Sequence, residues 1–553
     1  MKNIFKVFVL ASALSVSASC TKMLDMTPTG LVSDKTIWEK TESAEWAVNS
    51  LYTYIYDIME NQSLVGLTES LTDMMKYGSY NYNKMAFIPS EFAYGEDNTI
   101  TASYVDVYMG YWITRYAQIK NINEAFSNLK KYGQMPEDDK TRLEAEIRFM
   151  RAYVYFDLVK RYKEVILYDE DLAAIVKDKE LSTEEEAWNF IQKDLEFAAD
   201  KLPVKAEAGG RLDKGAAYAF TTRAMLYAKK YDAVISAAEE VKKLGYDLEK
   251  NYADSYSKST TDGNVEAILQ YHFSRADNIT QLFDNYYTPG GDFSLNGQIG
   301  GGYGTPTQEL VESYEKATGG KVDWEPWHTT GVTDTPPYAE LEPRFHATIL
   351  YNGSDWKERK IEPYLGGTDG FCEWNVEPEP NGRTTTGYYL RKMVDESHDV
   401  IQYSSGVQPF TVIRYAEVLL NKAEALYNTG EEGLANDIVN DIRSRVGLPS
   451  ISVDGADLMA AIRQERKVEF AFEGLWYWDL RRWGIAHKAY PEGLTGYQVH
   501  GFKITKDEEG NFTYDYISVD DKNRNFLERL YRFPLPADEL NNNGAVKQFT
   551  EWK

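Results

Sequence analysis

Apolar residues recur at intervals of three and four over two stretches of the chain, one ending near residue 245 and one from about 410 to 484. That spacing predicts amphipathic helices. Leu143, Ile147, Met150, Val154 and Leu158 form one stripe, and Phe149, Tyr153 and Phe156 form a second on the same segment, so this helix is expected to be buried around much of its circumference. Ser182 and Glu185 carry the spacing of a capping box; Trp188, Ile191, Leu195 and Leu202 continue at helical intervals, and Pro203 supplies a stop. The stretch "KGAAYAFTTRAMLYAKKYDAVISAAEEVKKLG" reads as two helices joined around Lys229 to Asp232. A similar pair recurs in "RYAEVLLNKAEALYNTGEEGLANDIVNDIRSRVGLP", with Tyr415, Leu419, Ala423 and Leu426 on one face and a break at Gly430.

Short turns and amphipathic second helices, at a period of roughly thirty-odd residues, are the marks of tetratricopeptide-like pairs. The expected fold is therefore mostly α, with about four such pairs forming a scaffold over about 36–245 and 410–484. No single pair buries its own apolar face, so neighbours must stack. Between the two blocks, from about 246 to 409, the chain turns rich in Gly, Asn, Thr, Tyr and Trp and loses its helical stripe. A loop-rich insert with little regular structure is expected there, and a segment so long and so aromatic is read as functional. Residues from about 485 to 553 read as irregular.

Length alone, 553 residues, would suggest three or four domains. The repeat reading replaces this with a single domain over 20–553. A net charge of -26 disfavours nucleic acid and anionic lipid as partners. Tyrosine is abundant, 41 residues, and offers a rigid apolar face with a hydroxyl at its tip.

The first residues, "MKNIFKVFVLASALSVSASC", read as a secretory signal over 1–19, too short to span a bilayer. Cys20 stands where lipoprotein processing cuts, although Ser17 occupies the position where leucine is usual; lipidation there would tether the chain. Cys372 is then the remaining thiol, so no intramolecular disulfide forms. The six histidines (272, 328, 346, 398, 487 and 500) are scattered without an HExxH pair, and no metal or other cofactor is expected. No GxSxG elbow occurs, and the glycines at 300–304 lack the spacing and the lysine of a phosphate loop. A glycosidase needs two carboxylates across the scissile bond, and nothing marks such a pair among the acidic residues. Calcium at Gly95 to Asn98 or Tyr168 to Asp171 is conceivable, but short acidic runs usually form solvated surface.

A resemblance then becomes specific. Cys20 with "KMLDMTPTG", "AEIRFMRAYVYFDLVKRYKEV", "RYAEVLLNKAEALYNTG", "IRQERKVEFAFEGLWYWDLRRWG" and "LYRFPLPADELNNN" occur in this order, and together they resemble the SusD/RagB family of outer-membrane glycan-binding lipoproteins. The resemblance covers the mature chain. It implies a surface lipoprotein that captures oligosaccharide or polysaccharide, or peptides in one branch, without catalysis. It also implies a partner, a SusC-like TonB-dependent transporter in the outer membrane over which the protein sits as a lid.

In the tryptophan-rich motif, Phe472, Trp476, Leu480 and Trp483 are expected on one helical face, and Glu465, Glu469 and Glu473 lie four apart on another. These carboxylates should pair with Arg466, Arg481, Arg482 or cations of neighbouring helices, and Gly474 suggests close backbone packing. The tryptophans are read as structural. Ligand contact is expected instead from loop aromatics flanked by amides. One loop, between an early helix ending near Met75 and another starting near Tyr104, carries Tyr77, Tyr80, Asn81 and Tyr82; the resemblance implies that it contributes to ligand contact. The insert offers Tyr286, Tyr287 and Tyr303 beside glycines, and Trp324 and Trp327 three apart. At least two of these eight rings are expected to touch ligand. A hydrolase, or a protein whose main work is to close the transporter, are the alternatives from other classes.

Overall fold

The computed structural model describes residues 34–59, 68–79, 88–174, 176–206, 210–374 and 382–553. After a short helix α1 (Thr41–Leu51), the scaffold comprises α2 (Trp112–Tyr132), α3 (Glu137–Tyr162), α4 (Glu184–Lys201), α5 (Lys214–Tyr227), α6 (Tyr231–Lys243), α7 (Tyr415–Thr429), α8 (Glu432–Arg445) and α9 (Gly455–Glu469). Each helix from α2 to α9 packs on the next in chain order, which gives four tetratricopeptide-like pairs among the described residues. Helix α6 packs directly on α7, so the chain between them leaves the array and returns to it.

The stripes read from the sequence explain this stacking. Leu143, Ile147, Met150, Val154 and Leu158 are all 0% exposed, and the Phe156 ring of α3 meets Phe220 of α5 edge-on at 5.2 Å. Each such large apolar side chain removed from water contributes about 1.5–3 kcal/mol. Helix α4 is capped one residue later than its spacing suggested: Thr183 and Glu186 form the reciprocal box, because Ser182 is drawn into a bridge with Val165. Gly430 ends α7 in the left-handed conformation, φ 85°, as its break position required.

Short strands hold the insert, among them β1 (Met75–Tyr77), β2 (Ala267–Tyr271), β3 (Gly304–Pro306) and β4 (Phe410–Arg414). β2 pairs antiparallel with β4 at the base of the insert, and β1 pairs antiparallel with β3. Met75 therefore lies in a strand and does not end a helix. The C-terminal segment, read as irregular, contains a hairpin of β5 (His500–Lys506) and β6 (Phe512–Ser518). Its alternation, with Phe502, Ile504 and Tyr514 buried, is the period-two signal of a strand pair.

The tryptophan-rich motif is two helices and not one. Between α9 and α10 (Trp476–Arg482) the chain turns with φ of 64° at Phe472 and 73° at Gly474, so Phe472 does not share a helical face with Trp476. Trp478 is buried at 2%. Trp476 and Trp483 are half-buried, meet edge-on at 5.7 Å, and donate their indole N–H groups to Asp73 and Glu424. The three glutamates take cations from other segments. Glu465 pairs with Arg344 at 2.8 Å and Arg443 at 2.7 Å, Glu469 with Arg414 at 2.6 Å and with Arg445, and Glu473 with Lys392 and Arg414, both at 2.7 Å. Arg466 and Arg482 instead serve Asp479. Such a network ties α9 to the insert and to β4. Removing one member of a buried pair is strongly destabilising, because it leaves an uncompensated charge.

The two acidic runs are likewise engaged as ion pairs, Glu96 with Lys522, Asp97 with Arg529 and Glu170 with Arg151. Among the described residues no cluster of three or more His, Cys, Asp or Glu side chains is placed to hold a metal ion. No described helix is long and apolar enough to cross a membrane. Cys20 and the signal segment lie outside the described residues.

Candidate ligand-binding site

Three backbone segments run side by side in the insert. The Tyr303 N–H donates to the Tyr286 carbonyl at 2.9 Å, the Gly302 N–H to the Thr288 carbonyl at 2.9 Å, and the Gly78 N–H to the Tyr303 carbonyl at 3.0 Å. On this support the Tyr286 and Tyr303 rings stack, with centroids 4.5 Å apart and planes 25° from parallel. Both are half-buried. A stacked aromatic pair contributes about 0.5–1.5 kcal/mol beyond its area burial. Burial raises the Tyr303 hydroxyl pKa, which keeps it a neutral donor and acceptor at physiological pH.

Glycine permits the close approach of these segments. A Cβ on Gly78 would lie 1.8 Å from the Gly302 carbonyl oxygen, and one on Gly382 would lie 2.1 Å from that of Gly300. Gly382 also has a φ of 87°, which a side chain would strain. The glycine run at 300–304 is thus a packing requirement. Beneath it, the Tyr389 hydroxyl donates to the Asp369 carbonyl at 2.8 Å and accepts from the Thr384 N–H at 3.0 Å. The Asp369 carboxylate accepts from the Gly291 N–H at 3.0 Å and pairs with Arg359 at 2.8 Å. Asp292 pairs with Lys357 and Arg359 and accepts from the Trp356 indole; burial opposes its charge, yet Lys357 and Arg359 hold its carboxyl below the ordinary range. Both carboxylates are committed to bracing the backbone.

The structure sorts the sequence candidates by burial. Tyr77 is 5% exposed, its hydroxyl donates to the Ile88 carbonyl at 2.9 Å, and burial pushes that hydroxyl up to about 12. Tyr287, 1% exposed, packs on Phe283 with centroids 4.5 Å apart. Trp324 is 5% exposed, beside Tyr338. These three rings face the interior, so they leave the candidate ligand set. Tyr80, Asn81 and Tyr82 lie outside the described residues; Ser79, just before them, accepts from the Arg383 N–H at 2.7 Å. Trp327 is half-buried, edge-on to Trp324 at 6.2 Å, with its indole N–H on the Asp334 carbonyl. Among the described residues no ring contact joins this tryptophan pair to the tyrosine pair.

Sequence reasoning missed a second aromatic group. Tyr516 of β6 lies between His328 and His500, with centroids 4.6 and 4.5 Å away, and each histidine holds a carboxylate, Glu312 at 2.7 Å and Glu309 at 2.6 Å. Only the strand alternation of "FTYDYIS" hints at it; the histidines are far apart in sequence. The tyrosine pair is the flat surface that this glycine-built backbone supports. It suits the C–H face of a sugar ring or another apolar plane with polar edges.

Comparisons with known proteins agree with this architecture. A family model described as "SusD family" matches residues 265–552, more than half of the chain, and one described as "Starch-binding associating with outer membrane" matches 31–226. A SusD-like protein of Bacteroides ovatus is 25% identical, with 97% of this chain and 93% of the relative aligned. Among solved structures, a SusD-like protein from Bacteroides fragilis superposes with a TM-score of 0.75 at 29% identity, covering 95% of this chain and 100% of the other. A SusD-like carbohydrate-binding protein from the same species gives 0.73 at 24% identity, covering 93% and 100%. With its paired-helix scaffold and the insert between α6 and α7, the chain belongs to the SusD family.

Proposed function

We propose that this protein binds oligosaccharide or polysaccharide at the cell surface on the Tyr286–Tyr303 face and hands it to a SusC-like TonB-dependent transporter, without altering it chemically. The observation that carries this reading is the stacked tyrosine pair, half-buried on a glycine-built framework. A rigid ring pair loses little freedom when a sugar lies against it, which lowers the cost of association. The family description "Starch-binding associating with outer membrane" supports both the ligand class and the location. The carbohydrate-binding relative supports the ligand class. Lipidation at Cys20 would supply the tether. With a net charge of -26, neutral polymers suit this face better than polyanions.

The test is native electrophoresis of the soluble chain, starting after Cys20, through gels containing plant, host and microbial polysaccharides, with reducing-end release assayed in parallel. Retardation by a neutral polymer without new reducing ends is expected. New reducing ends would mean a hydrolase. No retardation by any polymer would shift the ligand to a peptide or the role to closure of the transporter. Co-purification of a transporter with the affinity-tagged full-length chain from its native membrane tests the partner.

A further inference from the structure

A cavity of about 460 Å³ opens on the helical scaffold, at the ends of α3, α4 and α5 and against α10. No residue of the tyrosine face lines it. Its lining includes Lys160, Lys163, Lys229, Lys230, Arg481 and Arg482 against Glu184 and Glu185, a cationic excess in a chain of net charge -26. Tyr227 and Tyr531, both half-buried, supply its accessible aromatic walls. Its volume lies within the range of about 300–1,000 Å³ usual for small-ligand sites.

Some of these cations already have partners. Arg482 is held by Glu424 and Asp479, Lys160 by Asp157 at 3.2 Å, and Lys230 by the amide oxygens of Asn189 and Gln192. Others do not. Among the described residues neither Lys163 nor Lys229 has a carboxylate within ion-pairing distance. Arg481, 6% exposed, donates through one Nη to the Leu530 carbonyl at 2.6 Å, while its Nε and other Nη meet no acceptor. The Trp478 indole N–H is also without one. The unsatisfied buried polar atoms along this lining are thus all donors, and buried polar atoms without partners are uncommon enough to require an explanation. Burial lowers the Arg481 guanidinium to about 10, as expected of a cation lacking a counter-charge.

Two rim lysines also sit in uncommon backbone conformations. Lys163 has φ 63° and ψ -62° and closes a γ-turn through the Glu164 N–H and the Tyr162 carbonyl at 2.7 Å. Lys229 has a φ of 56°. Strained residues of this kind cluster at ligand sites.

We propose that this cavity is a second binding site, for an acidic saccharide unit whose carboxylate or sulfate meets the Lys163–Lys229–Arg481 side while its ring lies against Tyr227 and Tyr531. Unused donors call for a ligand rich in acceptors, and the aromatic walls call for one with an apolar face. Glu184 and Glu185 at the mouth would repel a bare anion but accept hydrogen bonds from hydroxyls. An oxyanion and hydroxyls on one ring describe a sugar acid or a sulfated sugar. This site is independent of the tyrosine face.

Calorimetric titration of the soluble chain with digalacturonate, a sulfated disaccharide, the neutral disaccharide maltose and inorganic sulfate tests it. Binding of digalacturonate or of the sulfated sugar is expected, weakened at least tenfold in the double variant Lys163→Gln/Lys229→Gln and by added salt, with maltose failing to compete. Glutamine keeps the backbone demand of both positions, and an unchanged melting temperature establishes that the variant folds. Tyr286→Ala should leave this binding intact. No binding of either acidic sugar at millimolar concentration, equal affinity in the double variant, or binding of inorganic sulfate alone would each overturn the proposal.

Discussion

Tyr286 and Tyr303 are stacked ring on ring, centroids 4.5 Å apart, and the same two residues are joined by a backbone hydrogen bond from the Tyr303 N–H to the Tyr286 carbonyl. The register that fixes their backbones also fixes their rings, so the aromatic surface is set before any ligand arrives. Replacing either ring by alanine should weaken polysaccharide retention at least tenfold, which corresponds to about 1.4 kcal/mol. The melting temperature should move by no more than a few degrees, since both rings are only half-buried. A double-mutant cycle on ligand affinity should show coupling between the two, because one ring alone no longer presents a continuous face.

The framework makes a different prediction. Gly382→Ala places a Cβ 2.1 Å from the Gly300 carbonyl oxygen at a φ of 87°, so the segment carrying Tyr303 must shift. Stability should fall by more than ~1 kcal/mol, and polysaccharide retention should be lost although no ligand-contacting atom has changed. Thermal melting and affinity electrophoresis on the same sample check both parts.

Trp476→Ala tests the assignment of the tryptophan-rich motif to structure. The ring packs on Trp483 and its indole N–H holds Asp73, so its removal should cost ~3 kcal/mol in urea unfolding and leave polysaccharide retention unchanged. A stable variant that no longer binds would transfer this tryptophan to the ligand site.

Glu69 gives the fold a pH signature. It is fully buried, one carboxylate oxygen accepts from the Gly474 N–H at 2.7 Å, and the other has no donor among the described residues. Burial pushes its carboxyl from 4.5 up to about 7. Between those values the native state holds a proton that the unfolded chain has released, so stability from this group falls as pH rises through the window and is flat above it. Glu69→Gln removes that slope. Relative to wild type, the variant should be more stable at pH 8 than at pH 4.5 by on the order of 3 kcal/mol, measured by urea unfolding at both pH values.

Glu469 acts with the opposite sign. Its burial opposes the charge, but Arg445, Arg414 and Arg344 hold its carboxyl well below the ordinary value of 4.5. The stability it contributes is present above that value and is lost as pH falls below it. Glu469→Gln should therefore be destabilising at pH 7 and progressively less so toward pH 3.

The helical scaffold was legible because its signal is local. Leu143 through Leu158 repeat at helical spacing and end up at 0% exposure, and Gly430 marks its own cap. The candidate site was legible only as a region. Tyr286 and Tyr287 are neighbours of identical chemistry, yet one is half-buried in the stacked pair and the other is 1% exposed in the core. The difference is set by contacts with Gly304 and Phe283, which no periodicity encodes. The same holds for Gly78, whose need for glycine arises from a carbonyl at Gly302, and for Glu469, whose partners come from the insert, β4 and α8 rather than from its own motif.

The proposed polysaccharide site is the Tyr286–Tyr303 pair. The most direct measurement runs wild type and Tyr286→Ala/Tyr303→Ala side by side through native gels containing the polymer that retards wild type. The double variant, melting within a few degrees of wild type, is expected to migrate as if no polymer were present. A folded double variant retarded as strongly as wild type would place the ligand elsewhere and contradict it.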